Sequence, residues 1–174
     1  MSESRKTKTV SESRLEITSL MRPQHANFVG NVHGGVILGM MDEGAYLCAS
    51  RYAESYCVTA ALDHVDFASA IRVGDMVTIR ASVNAVGRTS MQVGLQVVAE
   101  DPQDPGTSRR TNRSFFTMVA VSEDGNPLPV PSLVCETEED RKWRCEADLR
   151  RELRAGFNEE LAQGRCRIDS EDAA

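Results

Sequence analysis

Nowhere does the sequence hold the roughly 18 uninterrupted apolar residues that a helix needs to cross a bilayer. Its opening, MSESRKTKTVSESR, has basic residues with no apolar stretch of signal-peptide length after them. Neither a membrane span nor a signal peptide is therefore expected, and the protein is placed in the cytoplasm. Paired cysteine spacing is missing too. Cys48, Cys57, Cys135, Cys145 and Cys166 form an odd set without a C-x-x-C motif, so reduced thiols are expected. His25, His33 and His64 complete no zinc pattern, and neither a metal nor an organic cofactor is implied. The net charge is −6, which argues against wrapping nucleic acid, because neutralising phosphates needs a basic face. No G-x-S-x-G nucleophile elbow occurs, and there is no internal repeat.

What is present fits one ordinary domain. The 174 residues are 41% hydrophobic and 26% charged, enough to bury a core without metals or crosslinks. Arginine supplies 17 of the 20 basic residues. Its planar fork grips phosphate bidentately, so a local clamp for a small anion can exist on an acidic protein.

Hydrophobic periodicity then orders the chain. Residues 1–14 are polar and aperiodic, and read as a flexible N-terminal arm. Leu15, Ile17 and Leu20 mark a first strand, and Gln24 to His33 a loop rich in turn residues. From Gly34 to Tyr52, Ile37, Met41, Gly44, Ala45, Cys48 and Tyr52 fall on one helical face. This helix is about 30 Å long, and its small residues suit close burial against a sheet. Strand patterns follow at Tyr56–Phe67, Met76–Val86, Ser90–Ala99 and Arg113–Val121, with a hairpin at Gly87–Thr89 and a longer turn at Asp101–Gly106. Pro127–Pro131 should leave the sheet edge. Residues 136–156 read as a charged helix, solvated or facing another subunit, with acids in its first turn and arginines in its last. Residues 157–174 read as a weakly ordered tail.

One long helix and about five antiparallel strands exclude a doubly wound fold. The expected class is α+β, with the sheet wrapped around the helix and its edges satisfied by a second subunit.

Two places could carry chemistry. Gly34 and Gly35 open the helix, where unpaired N–H groups and the positive dipole end form a natural oxyanion site, although a tight turn would use the same glycines. Asp42 and Glu43 stand mid-helix. Helix carboxylates are usually solvated, but the small and apolar neighbours of Asp42 imply a carboxylate that is paired or has a raised pKa, as suits a general base. His33 reads as a hydrogen-bonding residue, and His64 in Asp63-His-Val-Asp66 as a sheet histidine.

The run Asn27-Phe-Val-Gly-Asn-Val-His-Gly-Gly-Val-Ile-Leu-Gly-Met-Met-Asp42 resembles the cytosolic acyl-CoA hydrolase family of hotdog thioesterases. So do Ala45-Tyr46, Ser50-Arg51-Tyr52, Tyr56-Cys-Val-Thr59, Gly87-Arg-Thr-Ser-Met91 and Phe116-Thr-Met-Val-Ala-Val121. The likeness covers residues 15–135. It implies a hotdog domain, dimers that join their sheets, and threefold assembly of dimers into hexamers. It further implies hydrolysis of fatty acyl-CoA at the dimer interface, with Asn31 and Asp42 coming from different subunits. At such a site Gly35 N–H polarises the thioester carbonyl, and Asn31 orients the water or stabilises the oxyanion. Asp42 activates water or attacks directly to form an anhydride, and Arg88, Thr89 and Ser90 contact CoA. A non-catalytic acyl-CoA sensor and a hotdog dehydratase or hydratase are the alternatives.

Overall fold

A computed structural model describes residues 5–164. Five strands, β2 (Leu15–Leu20), β3 (Tyr56–Leu62), β4 (Met76–Val86), β5 (Ser90–Asp101) and β6 (Asp104–Val121), form one antiparallel sheet in the order β2-β4-β5-β6-β3. The sheet curls around the helix α2 (Gly34–Ala53). Alternation along the strands decides which side chains meet that helix. Val77, Ile79, Ala81 and Val83 of β4, with Met91, Val93, Leu95, Val97 and Ala99 of β5, are all buried. They close on Ile37, Met41, Ala45, Cys48, Ala49 and Tyr52 of α2. Gly44 allows the close approach, since a Cβ there would come within 3.1 Å of Ile79 Cγ2. The helix and the five-stranded sheet are as the sequence leads one to expect.

Several boundaries differ, the largest at β6, which starts at Asp104 rather than Arg113. The longer turn expected over Asp101–Gly106 shrinks to Pro102-Gln103, because β5 runs to Asp101 and β6 starts at Asp104. β3 stops at Leu62 rather than Phe67, leaving residues 63–70 outside any strand. The C-terminal helix α3 spans Glu138–Ala162 and so runs six residues past its expected end at 156. A capping box sets its start, with Thr137 accepting from Asp140 N–H and the Asp140 carboxylate accepting from Thr137 N–H. The remainder of the expected tail, residues 165–174, lies outside the described residues.

The expectation of a flexible arm is corrected for residues 5–14. Thr7–Thr9 form β1, which pairs in parallel with β7 (Ser132–Val134), and α1 (Val10–Ser13) buries Val10. Lys8 is buried and donates to Tyr52 O at 2.8 Å, where a cation satisfies the carbonyl end of α2. A three-residue strand is too short to show a period, which hides it in the sequence.

One face of α3 lies on the outer side of the sheet. Trp143 packs over Gly94, where an added Cβ would meet Trp143 Cζ3 at 2.7 Å and Asn84 Oδ1 at 2.3 Å. Its ring centroid is 5.5 Å from that of Phe115, and the Arg113 guanidinium lies 3.9 Å above it. Arg150 and Arg154 both reach the Asp63 carboxylate. Among the described residues no helix is long and apolar enough to cross a membrane.

Candidate active site

The loop before α2 is tied together by one side chain. Asn27 Oδ1 accepts from Val29 N–H at 3.0 Å and from Asn31 N–H at 3.1 Å, while Asn27 N–H donates to Asn31 O. Gly30 takes φ +85°, a left-handed conformation that glycine adopts freely. His33 is the N-cap of α2, its Nδ1 accepting from Gly35 N–H at 2.9 Å. The Gly35 N–H expected to face a carbonyl is thus already donated within the chain. The structural reading of His33 fits this geometry.

Asp42 stands exposed in the single chain, not buried. The reason lies in the sheet order. The buried arc of α2 ends at Ala45 and Ala49, and Asp42 sits on its rim beside β3, the last strand, where no described residue covers it. It is paired, however. Thr59 Oγ1 donates to Asp42 Oδ1 at 2.6 Å, from a point where the β3–β6 register shifts between Thr59 and Ala61. Nothing in the sequence marks Thr59 beyond its place in the Tyr56–Thr59 run. A bulge that turns one hydroxyl toward a helix 17 residues earlier has no periodic signature.

Both elements also expose apolar side chains. Tyr46 and Leu47 of α2 and Tyr56, Val58 and Leu62 of β3 are exposed. Gly35 precedes Asp42 by seven residues, about 10 Å of helix, so a single chain does not bring the loop asparagines or Gly35 to Asp42. Arg88, Thr89 and Ser90 lie together in the β4–β5 hairpin, toward the other end of α2. There Arg88 lines a surface cavity with Arg5, Lys6, Ala53 and Glu54. Hydrogen bonds from Lys6 and Lys8 pull the Glu54 carboxyl down to about 2. Among the described residues no group of three or more His, Cys, Asp or Glu could hold a metal ion.

Comparison with known proteins gives this geometry a family. Residues 29–105 match the model of the Thioesterase superfamily. The protein VdlD of Helicobacter pylori is 40% identical over 84% of this chain and 83% of its own length. YkhA of Bacillus subtilis, named an uncharacterized acyl-CoA thioester hydrolase, is 35% identical over 79% of this chain and 80% of its own length. The crystal structure of an acyl-CoA hydrolase from Bacillus cereus superposes with a TM-score of 0.83 at 39% identity, covering 91% of this chain and 98% of that one. The chain belongs to the acyl-CoA thioester hydrolase family. This hotdog hydrolase spans only 35% of the length of the rat cytosolic acyl coenzyme A thioester hydrolase, to which it is 38% identical over 77% of its own length.

Structures of the Staphylococcus aureus acyl-CoA hydrolase include a complex with butyryl-CoA and CoA, at TM-score 0.82, 30% identity and coverage of 91% and 96%. Others are alanine mutants of an asparagine, an aspartate and a threonine at positions 28, 43 and 60 of that chain, 15 and 17 positions apart. In the present hydrolase Asn27 precedes Asp42 by 15 positions and Thr59 follows it by 17, whereas Asn31 precedes Asp42 by 11.

Proposed function

We propose that the protein hydrolyses fatty acyl-CoA to a free fatty acid and CoA, with Asp42 as the residue that activates water or attacks the thioester. The observation that carries this reading is the hydrogen bond from Thr59 to Asp42 at an open, apolar sheet edge. With Oδ1 engaged by the Thr59 hydroxyl, Oδ2 is the oxygen left to take a proton from water or to bond to the acyl carbon.

The electrophilic half of the site comes from the loop. The spacing seen in the S. aureus mutants favours Asn27 over Asn31 as the asparagine that meets the substrate. Geometry supports the same choice: two backbone N–H groups hold the Asn27 oxygen, which leaves its NH2 to donate to the thioester oxygen as charge develops there. Asn31 then acts through its backbone, as one of those two donors. For Gly35 N–H to join them, the His33 imidazole must turn away from the start of α2.

Because loop and carboxylate lie about 10 Å apart along α2, the site is completed by a second copy. β3 is an edge strand with exposed apolar side chains, and among the described residues no strand pairs with its outer side. Twofold pairing of two such edges places Asp42 of one subunit against the loop of the other. Solved relatives include a hexameric acyl-CoA thioesterase 38% identical to this chain, and a trimer of dimers in the cytoplasm is the assembly proposed here.

Free CoA released from butyryl- to palmitoyl-CoA, followed with a thiol reagent, tests this directly. The wild-type protein should turn over, and Asp42→Asn should lower kcat by about 10²- to 10⁴-fold, the range of a positioned acid–base group, with folding and assembly retained. Binding of acyl-CoA without thiol release would identify a sensor and refute the hydrolase reading. Undiminished turnover by Asp42→Asn would remove Asp42 from the mechanism.

A further inference from the structure

Arg5, within the N-terminal segment that is polar and aperiodic in sequence, has an unusual set of partners. Arg5 Nε donates to Val130 O at 2.9 Å, and Arg5 Nη2 donates to Gly87 O at 2.6 Å and to Arg88 O at 2.7 Å. One planar guanidinium thereby joins the tip of the β4–β5 hairpin to the proline-rich segment 125 residues away. Val130 N–H also donates to Arg88 O, so that carbonyl takes two hydrogen bonds while the Arg88 side chain stays exposed.

The charges at this corner are uneven. The single Glu54 carboxylate is shared by Lys6 and Lys8, at 2.7 and 2.8 Å, and so offsets one of their two positive charges. Among the described residues Arg5 and Arg88 form no ion pair, although both line the same cavity. The protein is acidic overall, yet this spot presents positive charge to any anion entering it. The hairpin is also well placed along the sheet. Ser90 lies opposite Val119, which lies opposite Val58, next to Thr59. Its backbone is therefore about 10 Å from that of Thr59 across two strand spacings, a span that one extended acyl-CoA can bridge.

We propose that Arg5 is a positioning residue for coenzyme A: it holds the Gly87–Ser90 hairpin so that Arg88 meets the phosphates of the CoA nucleotide. The proposal rests on the hydrolase reading and on the hairpin as the CoA contact. Arg5 acts through its three-way fork and not through its charge alone, since its donors are turned to backbone carbonyls.

Steady-state kinetics on butyryl-CoA and on butyryl-pantetheine, which keeps the thioester and lacks the nucleotide, separate the possibilities. Arg5→Ala and Arg5→Lys should each raise KM for butyryl-CoA roughly tenfold, about the worth of one or two hydrogen bonds to a charged group. Both should leave kcat within about twofold and hydrolysis of butyryl-pantetheine unaltered. Arg88→Ala should raise the same KM at least as much. Full rescue by Arg5→Lys would mean that charge alone matters, and would overturn the positioning role. Equal losses on both substrates would reduce Arg5 to a structural tie. An effect of Arg88→Ala without one of Arg5→Ala would keep the hairpin as the CoA contact and discard Arg5. Turnover of both substrates by Arg88→Ala at the wild-type KM would discard hairpin and Arg5 together, while leaving the hydrolase reading intact.

Discussion

Thr59 is the residue whose role the tertiary structure adds. It is exposed, so its methyl and hydroxyl contribute little to the core, but the hydroxyl fixes one oxygen of Asp42. Thr59→Val keeps the shape and removes the donor. We expect kcat to fall roughly 10- to 100-fold, less than for loss of the carboxylate itself, with the melting temperature unchanged. Unaltered kcat would mean that Asp42 is oriented by the partner subunit instead. Gly94 is a structural counterpart. Its N–H donates to buried Asn84 Oδ1 at 2.9 Å, and Trp143 covers the remaining space. Gly94→Ala should therefore destabilise by about 1–3 kcal/mol, as overpacking does, measured as a lower denaturation midpoint with an unchanged slope.

Among the elements, α3 depends on charge for its seat. Burial works to raise the Asp63 pKa, but hydrogen bonds from Arg150 and Arg154 outweigh it and hold the carboxyl below its usual range. A depressed folded pKa contributes stability that is present above the ordinary aspartate value, about 4. That contribution is lost as pH falls through the lower folded value. Trp143, the single tryptophan, lies on the seated face of α3 and reports the change. Its fluorescence should shift to the red below about pH 4, and Asp63→Asn should show the shifted emission already at neutral pH. An acid transition identical in Asp63→Asn would assign it to another carboxylate, such as the Asp140 cap. The same helix carries Leu149, Leu153, Phe157 and Leu161 exposed, so only part of its apolar surface is used within one chain.

For the whole molecule, the shared site proposed above depends on the edge of β3, which has no strand partner beyond it among the described residues. Replacing exposed Tyr56 and Val58 by lysine puts charge on that edge, a device that blocks strand pairing. The double variant should remain folded, lose the dimer pairing and lose thioesterase activity, as analytical ultracentrifugation and thiol release would show. An active monomer would contradict a site shared between subunits.

Much of this architecture follows from local pattern. The alternation along β4 and β5 and the spacing of Ile37, Met41, Cys48 and Tyr52 specify their elements, because burial on one face imposes a period on the chain. The family motifs were equally visible. Hydrogen bonds between distant residues leave no such period. That Asn27 anchors the loop, that His33 takes the Gly35 N–H, that Asp42 stands on an open rim beside Thr59, and that Arg5 reaches across to Val130 are consequences of how the sheet curls and where it ends. The amino-acid sequence alone determined the helix, the strands and the residue types able to attack a thioester, since each rests on neighbours within a few positions. Only the folded chain decided which of those groups meet, because contacts between distant segments depend on the curvature and edges of the sheet.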